Sequence, residues 1–142
     1  MGAERWKVEY LRPSDTAPRS ALDRLEAAEE FLRIGIAEIG EGRRSLDYTR
    51  IREGSEKVFH SLVEATNARL LKYGMSPPGQ HRETLDVLRG IDPELKQVYE
   101  DTFARLHVLV YYQGVIDISE VEQTVKRVQR AVARIRRFIK GR

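Results

Sequence analysis

SEVEQTVKRVQRAVARIRRFIK, residues 119–140, places Val121, Val125, Val128, Val132, Ile135 and Ile139 at alternating steps of four and three. With about 3.6 residues per turn, that spacing is the seam of an amphipathic helix. Ser119 and Glu122 frame its start as a capping box. The same period runs upstream. Leu22, Leu25, Ala28, Leu32, Ile36 and Ile39 predict a helix over 21–39, capped by Ser20 and closed by Gly40 and Gly42. Ser45 or Asp47 caps a second helix over 47–72, with the stripe Ile51, Ser55, Val58, Phe59, Leu62, Ala65, Thr66 and Leu70. Gly54 inside that stripe marks a close helix–helix approach, since a mid-helix Gly otherwise costs up to ~1 kcal/mol relative to Ala. A short helix over 80–89 ends at Gly90. Asp92-Pro93 pairs a capping acceptor with Pro at the first helical position and opens a helix over 93–112, stopped by Gly114. Four long helices and one short one, joined by brief turns, predict an all-α fold, an antiparallel helical bundle.

The bundle occupies 20–142. Residues 1–19 read as an N-terminal arm, because Trp6, Val8 and Tyr10 alternate with charged residues and Pro13 and Pro18 break regular structure. A chain of 142 residues, 41% hydrophobic and 33% charged, suits one domain. It is too apolar for disorder. The absence of cysteine excludes disulfides, iron–sulfur clusters and thiol catalysis. No run approaches the ~18 apolar residues of a spanning helix, and the N-terminus has no apolar signal region, so a cytoplasmic protein without a membrane contact is expected. Phosphate loops, dinucleotide fingerprints, nucleophile elbows and calcium loops are missing, and no cofactor is implied. The three histidines, His60, His81 and His107, show no metal-ligand spacing, so no metal is expected.

Charge is distributed unevenly. Residues 1–125 hold 17 basic and 22 acidic side chains, whereas 126–142 hold eight basic and none acidic. On a helical projection Lys126, Arg127, Arg130, Arg134, Arg137 and Lys140 fall on one side and the apolar seam on the other. Like charges at three- and four-residue steps repel unless an anion relieves them. These six are the candidate contacts for a nucleic-acid backbone. A solvated face, relieved by the helix C-terminus and by Glu26, Glu29 and Glu30, is the competing reading.

Glu56-Lys57-Val58-Phe59-His60-Ser61-Leu62 resembles the second helix of HEPN domains. By that resemblance His60 matches the histidine of a metal-independent ribonuclease motif, an Arg and a His with four to six residues between them, two copies of which meet across a dimer. The nearest Arg is Arg52, with seven residues between. Six intervening residues set the pair about 20° apart on a helix, and seven about 80°. Leu106-His107-Val108-Leu109-Val110-Tyr111 resembles the Leu-His-x-x-x-Tyr signature of the archaeal PaREP family of small HEPN-like helical proteins. Glu26-Ala27-Ala28-Glu29-Glu30-Phe31 and Ser55-Glu56-Lys57 match the same family's pattern. The resemblance spans about residues 20–140 and implies a fold and an archaeal source. His107 and Tyr111 share a helix face and are a further candidate pair, for acid–base work, for base stacking or for mutual hydrogen bonding.

Two classes of function follow. One is a non-catalytic HEPN-like module that binds RNA, a nucleotide or a protein partner encoded nearby. The other is a HEPN-type ribonuclease in which His60 exchanges the proton and Arg52 stabilises the phosphorane. The Arg52–His60 spacing favours the first. A plain oligomeric scaffold is a third possibility. The two-fold habit of HEPN-like folds and the apolar edge of the arm predict a homodimer.

Overall fold

The computed structural model describes the backbone of residues 13–141 and side chains from residue 21 onward. The Trp6, Val8, Tyr10 edge therefore lies outside the described residues. Five helices lie among the described residues: α1 Pro13–Ser45, α2 Tyr48–Tyr73, α3 His81–Ile91, α4 Pro93–Thr102 with a π-helical continuation Phe103–Tyr112, and α5 Ile118–Lys140. No strand occurs among the described residues, and no helix there is long and apolar enough to cross a membrane.

Cross-helix contacts give the packing directions. Between α1 and α2, Glu38 holds Lys57 at 2.7 Å and Arg24 reaches Glu64 at 3.4 Å. Numbers rise on one helix as they fall on the other, so the two are antiparallel. Glu29 with Arg136 and Arg43 with Glu122 set α5 antiparallel to α1. Asp92 with Arg134 and Arg105 with Glu120 do the same for α4 and α5. The seams meet in one core that includes Leu25, Val58, Phe59, Leu62, Leu95, Tyr99, Leu106, Val128 and Ile135.

Several boundaries differ from those the local signals predict. α1 begins at Pro13, so Ser20 is inside the helix and not its cap. Pro at the first helical position forfeits no intrahelical bond, and the break expected at Pro13 becomes a start. Gly40 and Gly42 do not end α1 either. A Cβ on Gly42 would lie 2.8 Å from the Asp47 carbonyl oxygen, so this glycine permits the hairpin to fold back tightly. Leu46, with φ of 56°, makes the left-handed turn instead, while the Asp47 N–H bonds the Gly42 carbonyl at 2.8 Å. Asp47 then caps α2 by accepting from the Arg50 N–H at 3.1 Å. α5 is capped by Asp117, which accepts from Glu120 N–H at 3.2 Å, and not by Ser119.

Gly54 marks a close approach, and Gly35 is its partner. A Cβ on Gly35 would lie 2.7 Å from the Gly54 carbonyl oxygen, and one on Gly54 would lie 2.8 Å from that of Gly35. Backbone opposes backbone here, so no side-chain rotation relieves a larger residue. Overpacking of this kind costs about 1–3 kcal/mol.

Candidate functional site

Two constellations carry the chemistry-bearing side chains. The first is the outer face of α5. Its seam buries Val121, Val125, Val128, Val132, Ile135 and Ile139, which leaves the opposite face outward. Lys126, Arg127, Arg130, Arg137 and Lys140 are exposed. Among the described residues none of these five forms an ion pair with a carboxylate. Arg127, Arg130, Arg134 and Arg137 line a groove of about 390 Å³ whose other wall includes Glu94 and Val98 of α4.

Arg134 has a structural task that the projection does not show. Its guanidinium reaches both oxygens of Asp92 at 3.2–3.4 Å. Asp92 is buried, accepts from the Leu95 N–H at 3.1 Å as the cap of α4, and also receives Arg69 Nε at 3.3 Å. Burial pushes this carboxyl up, but the Leu95 N–H and the Arg134 and Arg69 guanidinium groups outweigh it and hold the carboxyl below its ordinary range. Arg136 pairs with Glu29 at 2.6 Å, so part of the relief from α1 goes to a residue beside the stripe.

The second constellation gathers all three histidines around the buried ring of Phe59. Ring centroids lie 4.9 Å away for His107, 5.5 Å for His81 and 6.4 Å for His60. They come from α2, α3 and the π segment, so spacing within any one helix gives no sign of the cluster. Glu56 stands between two of them, 2.8 Å from His107 Nδ1 and 3.6 Å from His60 Nε2. An ionised carboxylate can only accept, so the shared proton sits on His107 Nδ1.

The π segment shapes this corner. In it each turn closes on a residue five positions back, as Gln113 N–H does on the Val108 carbonyl at 3.0 Å. The wider turn sets both Tyr111 and Tyr112 beside His107, with centroids at 6.4 and 4.8 Å. His107 and Tyr111 lie in nearly parallel planes, 13° apart, and the imidazole's hydrogen-bond partner is Glu56, not the phenol. The segment's last carbonyls need donors. Arg52 supplies them, with Nε and Nη2 bonding the Tyr111 carbonyl at 3.0 and 2.6 Å and Nη2 reaching Tyr112 at 3.3 Å. The Arg52 guanidinium is thus committed to backbone, two turns from His60.

Tyr99, whose phenol is held protonated by burial, meets His81 Nδ1 at 2.5 Å. A phenol that donates leaves His81 the neutral imidazole. Burial lowers the His81 value, and the neighbouring His107 and His60 lower it further, against Glu56. The unfolded chain therefore binds more protons at His81 below about pH 6.5. Its contribution to stability is full above that pH and is lost as pH falls through the lowered folded value. Thermal melts at about pH 7.5 and pH 5.5 are expected to show a lower midpoint in acid, and a smaller difference in His81→Gln.

No group of three His, Asp or Glu side chains among the described residues is placed to hold a metal ion. The histidine corner pairs a carboxylate with an imidazole, and among the described residues no guanidinium is directed at it. The α5 face has positive charge, with the Glu94 carboxylate of α4 across its groove. The chain matches no family model, and neither a curated protein nor a solved structure is found to be similar to it.

Proposed function

We propose that the chain is a non-catalytic, HEPN-like helical module of PaREP type that binds the phosphate backbone of a nucleic acid along α5. One observation carries this reading: five exposed cations on one helix face, without carboxylate partners among the described residues, beside a groove lined by four Arg side chains. Such neighbours repel by about 0.2–0.5 kcal/mol per pair, and a polyanion turns that repulsion into attraction. The ribonuclease reading has weaker support, because the donors of Arg52 point at the Tyr111 and Tyr112 carbonyls. Homodimer formation belongs to this proposal through the HEPN-like resemblance alone.

The test is a salt titration of binding, followed by fluorescence anisotropy. Five phosphate contacts give a slope of log affinity against log salt of about −3.5 for single strands and about −4.5 for duplex DNA. Little dependence on sequence is expected, since phosphate contacts carry none. Absence of binding at about 50 mM salt would show that the face is merely solvated.

A further inference from the structure

The cationic stripe ends beside exposed aromatic rings. Phe138 is 44% exposed and Tyr73 56%. Arg69 of α2 lies between them, its guanidinium carbon 4.0 Å from the Phe138 centroid and 6.0 Å from that of Tyr73. The Arg69 side chain is only 11% exposed, so it backs Phe138 from the core side and leaves the outer part of the ring in water. Platform and stripe are continuous: Phe138 follows Arg134 by one turn of α5, and Arg134 and Arg69 share the Asp92 carboxylate. Tyr73 closes α2 just before the left-handed cap at Gly74.

Resting on the backbone-binding reading above, we propose that Phe138 and Tyr73 stack nucleobases of a strand whose phosphates lie along Arg127, Arg130 and Arg137, so that the ligand is single-stranded nucleic acid. A duplex turns its base faces inward and has only phosphates to offer this surface. A single strand presents both phosphates and π-faces, and cations flanked by exposed rings are the combination that holds it without regard to sequence. The guanidinium beneath Phe138 fixes the ring in place through its quadrupole. A preset ring has less freedom to lose when a base arrives.

The experiment uses the full chain and three probes at low salt: an oligouridylate of about 12 nucleotides, a duplex of equal length, and inorganic polyphosphate as competitor. The oligouridylate is expected to bind more tightly than the duplex. Replacing Phe138→Leu and Tyr73→Leu together should weaken oligouridylate binding by at least ~5-fold per ring, with polyphosphate competition unchanged. Tyr73→Leu alone, on the exposed last turn of α2, should show its own share if Phe138→Leu loosens the contact with Arg69. Duplex binding as tight as oligouridylate binding, or oligouridylate affinity unmoved by both substitutions, would overturn base stacking and leave backbone binding standing. Failure of wild type to bind any of the three would overturn both.

Discussion

Replacing Asp92 with alanine is expected to lower the thermal midpoint by about 10–15 °C. The carboxylate does three things at once. It caps α4 through the Leu95 N–H, receives Arg69 from α2, and receives Arg134 from α5. Loss of a cap costs about 0.5–2 kcal/mol. Loss of one partner from a buried ion pair costs about 3–5 kcal/mol, because the other charge stays behind. Arg69 is nearly buried, and its Nη1 already has no hydrogen-bond partner, so removal of Asp92 leaves its guanidinium with the Phe138 and Tyr73 rings and no carboxylate among the described residues. Asp92→Asn keeps a capping oxygen and loses the charge, so it should fall between wild type and alanine. The folded carboxyl is held low, so its contribution is complete above about pH 4 and disappears as pH drops through the lowered value. Acid melts of Asp92→Ala should therefore run closer to those of wild type than neutral ones do.

The second large effect concerns binding. Changing Arg127, Arg130 and Arg137 together to Gln is expected to flatten the salt slope for a single strand by about 2.1, at ~0.7 per lost contact. At about 0.1 M salt, one decade below the point where counterion release stops contributing, this amounts to roughly 100-fold in affinity. The fold should be unaffected, since all three side chains are exposed and the α5 seam is untouched. Arg134 is left out of this set because its loss also unpairs Asp92. An Arg130→Gln, Arg134→Gln pair would mix a binding effect with a stability effect.

What the sequence reveals depends on whether the cause is local. Helical seams, the Asp92-Pro93 start and the Asp47 cap rest on neighbours within four residues, and the structure places them where the pattern does. Gly54 was legible as a close approach, but its partner Gly35 was not, because that pairing depends on how two helices register. The Asp117 cap had a local signal in Asp117-Ile118-Ser119-Glu120, obscured by a second box two residues later. Gly42 read as a terminator because glycine serves both left-handed turns and tight contacts. Only the return of α2 against it shows which applies. The π segment, the commitment of Arg52 to its carbonyls, and the meeting of His60, His81 and His107 are products of packing between distant residues. Arg134 belongs to the same class. A helical projection sees its angle on α5 but not the carboxylate waiting on α4.

Backbone amide shifts recorded while an oligouridylate is added at low salt would locate the ligand directly. The account predicts changes along Lys126, Arg127, Arg130, Arg137 and Lys140, extending to Phe138 and Tyr73, with little movement at Glu56, His60 or His107. Shifts concentrated at His60, His107 and Tyr112, with the α5 face unmoved, would contradict it and make the histidine corner the binding site.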